Sequence, residues 1–176
     1  MKTYQSPSYF HGTALHYASE TNNADMANLL LTKGKADVNA LDKWNRTPLF
    51  NAVMSGSIEA VDILLTNGAR TDIVDTYNRT PLFNAVQSGS IEAVKSLLKD
   101  GAKTDVVDEG GETLLHCAGT SGEVKMLRLL IKKGVTDVNA LDKRNRTPLF
   151  NAVESGSIEA VKILLEKEAK TDVVNE

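Results

Sequence analysis

The apolar residues of this chain recur every three or four positions in short bursts, and glycine closes most bursts. Between Thr47 and Gly56, Leu49, Ala52 and Val53 fall at helical spacing. Thr47 is a suitable N-cap, and Pro48 takes the first helical position, where a missing N–H costs nothing. The pattern predicts a second helix from about Ser57, with Ile58, Val61, Leu64 and Leu65 on one face and Glu59 and Asp62 on the other. Gly68 stops it. From Gly68 to Thr80 the chain is polar and turn-rich, and Asn78 suits the left-handed residue of a hairpin tip. Neither short helix can bury its apolar stripe alone, so each helix pair needs a neighbour to close its core.

The neighbours are written in the sequence. Thr47-Pro48-Leu49-Phe50-Asn51-Ala52-Val53 recurs letter for letter from Thr80 and from Thr147. Weaker versions start at Thr13 (Thr-Ala-Leu-His-Tyr-Ala) and Thr113 (Thr-Leu-Leu-His-Cys-Ala). The five threonines stand 34, 33, 33 and 34 residues apart, and a constant period of this length marks a repeat architecture. The registered Thr-Pro-Leu, alanine, glycine, Leu-Leu, Gly-Ala and Asp-Val-Asn-Ala elements resemble the ankyrin repeat from about residue 8 to 175. That resemblance implies an all-α repeat solenoid, an ankyrin-type stack of helix-turn-helix units with β-hairpin-like finger loops. One domain over residues 1–176 is expected, with units at about 8–41, 42–74, 75–107, 108–141 and 142–176.

Two kinds of unit occur. His16 and His116 belong to units that lack the proline (Ala14 and Leu114 replace it) and that carry a one-residue insertion, at Gly34–Asp37 and Gly134–Asp137. The other three units carry Phe50, Phe83 and Phe150. The order is therefore histidine, phenylalanine, phenylalanine, histidine, phenylalanine. The resemblance implies that the histidines tie each helix start to the adjoining loop, leaving the phenylalanine units to rely on apolar packing. In the last unit Glu168 replaces the glycine of the other four, and Glu166, Lys167 and Lys170 read as a modest polar cap at a natural end.

Composition narrows the classes. With 41% hydrophobic and 24% charged residues the chain is globular in type rather than disordered. Twenty Lys+Arg against 23 Asp+Glu leave a net charge of −3, which argues against nucleic acid as partner. No apolar run reaches the ~18 residues of a spanning helix, so no membrane role is expected. Met1–Pro7 lacks an apolar leader core, so a cytoplasmic location is expected, or a periplasmic or secreted one where a leader has been removed. His11, His16, His116 and Cys117 are the only soft ligands, and they form neither a C-x-x-C nor an i,i+4 histidine pair. Neighbouring helical side chains point ~100° apart, so His116 is poorly placed to activate Cys117. Gly110-Gly111 reads as a hairpin tip rather than a phosphate loop. No catalytic centre, metal site or cofactor is expected.

Function is then sought at positions that differ between units and face solvent. By resemblance, the finger tips and first helices hold partners. Three residues before each threonine stand Phe10, Trp44, Tyr77, Gly110 and Arg144, with Tyr9 beside the first and Tyr17 on the first helix of that unit. Aromatic tips suit the anchors of a protein interface. Beside them lie Lys43, Arg46, Thr76 and Arg79, then Lys143 and Arg146, with Glu109 and Glu112 on the fourth tip and Met54 and Gln87 on first helices. The expectation is a non-enzymatic module, monomeric when free, that binds another folded protein, such as an enzyme that it inhibits. Basic tips would favour an acidic partner, and Arg46→Glu or Arg79→Glu would chiefly slow association. The alternatives are an adaptor or scaffold, or an effector fragment, whose other domains are absent, or an oligomer stacking end to end through residues 150–165.

Overall fold

The computed structural model describes residues 12–135 and 137–174 and contains ten helices and no strand among them. The chain divides into two compact bodies, one ending at Arg70 and one beginning at Thr71.

The first body holds α1 (Ala14–Glu20), α2 (Ala24–Thr32), α3 (Pro48–Ser55) and α4 (Ile58–Thr66). Pro48 opens α3, and Gly56, at φ 73°, closes it in the left-handed conformation that a side chain would strain. Ser57 then caps α4, its hydroxyl accepting from the Ala60 N–H at 3.3 Å. Asn23 does the same for α2 from the Met26 N–H at 3.0 Å. The Thr47 hydroxyl, expected to cap α3, makes no such bond, and these helices of seven to nine residues are held chiefly by packing: α1 lies on α2 and α3, and α4 on α2 and α3. Leu15, Ala27, Leu49, Phe50, Val61 and Leu64 are fully buried.

The second body holds α5 (Pro81–Gln87), α6 (Ile91–Lys99), α7 (Leu114–Ser121), α8 (Val124–Lys132), α9 (Pro148–Glu154) and α10 (Ile158–Leu165). Each unit is again a helix pair. Helix α7 packs on α5 and on α9, and α8 lies against α7 and α10. Its core is Leu82, Phe83, Val86, Val94, Leu97, Leu115, Met126, Leu127 and Leu130.

The two kinds of unit join their loops differently. His116 Nδ1 accepts from the Thr113 N–H at 3.2 Å, so Nε2 carries the proton and donates to the Arg146 carbonyl at 2.9 Å. His16 repeats this with Thr13 (3.1 Å) and the Arg46 carbonyl (2.9 Å). Both histidines thus fasten their own helix start to the finger of the following unit. Phe50 and Phe83 are buried and form no such bond. Asn39 and Asn139 add a second tie in the histidine units. Asn39 donates to the Gly68 carbonyl (3.2 Å) and accepts from the Arg70 N–H (2.8 Å). Asn139 does so with Glu168 (3.3 Å) and Lys170 (2.8 Å).

Glu168 adopts φ 63° where Gly68, Gly101 and Gly134 adopt 83–89°. A side chain in this region costs about 1–2 kcal/mol. Glycine would relieve that strain while making the unfolded chain more flexible, which offsets part of the gain. Glu168→Gly is expected to stabilise the protein by about 0.5–1 kcal/mol in urea melts. A destabilisation would show that the Glu168 side chain contributes more than its backbone strain costs.

Candidate protein-binding surface

Each described finger is built around one aspartate. Asp42 Oδ1 accepts from the N–H groups of Trp44 (2.8 Å) and Arg46 (2.9 Å), while Oδ2 accepts from Arg46 Nε at 2.9 Å and the guanidinium terminus at 2.7 Å. The Asp42 N–H closes the loop onto the Arg46 carbonyl at 2.9 Å, and Asn45 turns the chain at φ 58°. A carboxylate thus satisfies the amides that a partner strand would otherwise pair. No strand is assigned among the described residues, and each described finger is a tight turn closed by one backbone pair.

The second body repeats the frame at Asp75–Arg79, where Asp75 takes the N–H groups of Tyr77 (2.8 Å) and Arg79 (3.0 Å) and the Arg79 guanidinium (3.0 Å). It appears again at Asp142–Arg146, with the guanidinium at 2.7 Å. Among the described fingers, only the fourth departs. There Asp108 takes the Glu112 N–H at 2.8 Å, and Glu112 pairs with Arg146 at 3.1 Å. Successive fingers of this body are bonded edge to edge, Glu109 N–H to the Tyr77 carbonyl (2.8 Å) and Lys143 N–H to the Gly110 carbonyl (2.9 Å).

These frames fix the aromatic tips. The Lys43 ammonium and the Arg46 guanidinium lie over the Trp44 ring at 4.2 and 4.4 Å, and the Arg79 guanidinium lies over Tyr77 at 4.7 Å. Trp44 remains 38% exposed and Tyr77 55%. Each arginine also reaches one first-helix side chain: Arg46 the Met54 sulfur (3.7 Å), Arg79 the Gln87 carbonyl (3.2 Å) and Arg146 the Glu154 carboxylate (3.8 Å).

Most of the residues expected at the surface are placed there. In the first body Tyr17, Lys43, Trp44 and Met54 are exposed; in the second Thr76, Tyr77, Gln87, Glu109, Lys143 and Arg144 are exposed. Tyr9 and Phe10 lie outside the described residues. Arg46, Arg79, Arg146 and Glu112 need a correction of role. They are half-buried and engaged within or between fingers, so they hold the tips in place rather than offering free charge. The residues missed from sequence were the aspartates Asp42, Asp75 and Asp142. Their signal was present as Asp-x-x-x-Arg at the same place in three units.

Electrostatics agrees with this division. Burial pushes the Asp142 carboxyl up, but the Arg146 N–H and guanidinium and the Arg144 N–H outweigh it and hold the group below the usual carboxylate range. Bonding to Asp142 raises Arg146 in turn. Cys117 is the opposite case. Burial, then the charges of Glu112 and Asp108, push its thiol up to about 12, which leaves almost no thiolate near neutral pH. His16 and His116 are buried with both ring nitrogens bonded, and no group of three or more His, Cys, Asp or Glu able to hold a metal occurs among the described residues. No described helix is long and apolar enough to cross a membrane.

Stacked helix pairs with fixed, side-chain-bearing turns define an all-α repeat scaffold whose variable chemistry sits on loops. The family model of ankyrin repeats (3 copies) matches residues 15–108 and again 82–175, and the chain belongs to the ankyrin-repeat family. Ankyrin repeats generally serve as protein–protein interaction modules and are typically non-enzymatic.

Proposed function

We propose that this chain binds a folded protein through its finger tips and the adjoining first-helix side chains. The observation that carries the reading is the exposure of Trp44 and Tyr77 on frames locked by buried aspartates. An aromatic ring held in place before binding loses little freedom on contact, which is how a few anchors come to dominate an interface. Lys43 and Arg144 are exposed beside such tips, and their charge favours an acidic partner surface. An enzyme with an acidic active-site cleft is one such partner, and binding there would inhibit it.

The test is capture of the partner, then titration calorimetry. Trp44→Ala and Tyr77→Ala are each expected to weaken binding by about 2 kcal/mol or more. Glu92→Ala, which removes only an exposed pair with Lys95, is expected to bind like wild type. Wild-type affinity in both aromatic variants together with a loss in Glu92→Ala would place the interface on the second helices.

A further inference from the structure

We propose that the outer face of α8 is a second docking surface, separate from the fingers, that takes an acidic α-helix of a partner protein. A local rule is broken on this helix. Ten residues after its threonine, each of the other four units has Asn23, Ser57, Ser90 or Ser157, whose side chain caps the second helix. Two residues further on, the same units have an acid at the positive end of that helix: Asp25, Glu59, Glu92 and Glu159. In α8 both are exchanged. Glu123 stands at the cap without a side-chain bond, and Lys125 brings a cation into the first turn. Both changes cost helix stability, and Lys125 is exposed, so no packing offsets them. A local rule broken at an exposed position is where function is expected.

Lys125 begins a row. Arg128 and Lys132 follow it at i+3 and i+7, one line about 10 Å long on an exposed face, and α8 itself contains no Asp or Glu. Lys125 and Lys132 form no ion pair among the described residues, and Arg128 meets Glu159 in an exposed pair at 3.0 Å. The neighbouring second helices balance their charge instead. Helix α6 pairs Lys95 with Glu92 at 2.7 Å, and α10 sets Lys162 3.8 Å from Glu159. In a chain of net −3, the positive row on α8 is therefore a local feature. Its spacing names the occupant. Cations at the rise of a helix are met by carboxylates at i, i+3 or i+4 and i+7 of a helix laid alongside. A lipid surface would need apolar side chains to insert, whereas Val124, Leu129 and Ile131 beside the row are half-buried.

The probe is an alanine-based peptide of about 15 residues with glutamates along one face, stapled because free helices of that length are marginal. Titrated into the full chain at low salt, it should bind with a Kd of about 100 µM and weaken as salt rises. A stapled peptide of the same composition, its glutamates spread around the helix, should bind at least about fivefold more weakly. Lys125→Glu and Lys132→Glu should each weaken the one-faced peptide about fivefold or more. Lys125→Glu should at the same time raise the melting temperature by about 1–3 °C, because it restores the acid of the first turn. Lys125→Gln and Lys132→Gln repeat the test without added charge, with a loss of about two- to threefold, should a glutamate variant melt early. Lys33→Glu, the same charge change on an exposed residue of the first body, should bind within about twofold of wild type. The proposal is overturned if the two peptides bind alike, or if Lys33→Glu or the finger variant Arg144→Glu loses as much as Lys125→Glu. Tighter binding to phosphatidylserine vesicles than to the peptide would overturn it as well.

Discussion

Leu97→Ala should unfold at much lower denaturant than wild type, with a loss of about 2–5 kcal/mol. Leu97 lies on α6, is fully buried, and belongs to the face that packs on α5. Truncation removes the transfer free energy of the lost methyl groups and leaves a void that helices capped at both ends cannot easily close. The α6 cap, Ser90 accepting from the Ala93 N–H at 3.4 Å, fixes where the helix begins, so sliding to refill the space would break it. Leu64 holds the equivalent place on α4 in the first body and should behave alike. Equilibrium urea melts with a shared slope would measure both. A loss below about 1 kcal/mol would mean that the Leu-Leu pair of the repeat is not where the core is closed.

What could be read from residue order was the part governed by local rules. Proline at a helix start, serine before the second helix and glycine after the first have the same meaning in any context, and α3 and α4 begin and end where those signals stand. The two histidines also took the loop-fastening role that the resemblance implied, and the structure adds that they reach the finger of the next unit. The fingers were less legible. A polar segment with a left-handed asparagine suggests a turn, but not that a side chain completes it: Asp42 and Asp75 take the amide protons of the tip. For the same reason the arginines were misread. A basic residue on a loop suggests solvated charge, but Asp-x-x-x-Arg across a tight turn brings the guanidinium back onto the carboxylate.

Arg146→Glu should therefore act on stability first, with a loss of about 2–4 kcal/mol. The Asp142 side chain is only 2% exposed and relies on this guanidinium at 2.7 Å, while Glu112 shares it at 3.1 Å. Removing one partner of a buried pair typically costs 3–5 kcal/mol; here the guanidinium keeps some contact with water, which lowers the figure. Glutamate would add a third carboxylate to Asp142 and Glu112. Acid should then distinguish this cause from simple loss of packing. In wild type the Asp142 carboxyl is held below its ordinary value, so its contribution is present above about pH 4 and is lost as pH falls through the lowered value. In the variant, protonation relieves repulsion instead, so the gap between the two proteins should narrow as pH drops below about 4. Arg144→Glu is the matching control. Its N–H bonds Asp142 at 2.8 Å as any residue's would, and its side chain is exposed, so stability should change by less than about 0.5 kcal/mol. If the fingers of the second body meet an acidic partner, Arg144→Glu should slow association, and the effect should fade as salt rises. Equal stability losses in the two variants, or a gap for Arg146→Glu that does not change with pH, would remove the aspartate-centred finger from this account.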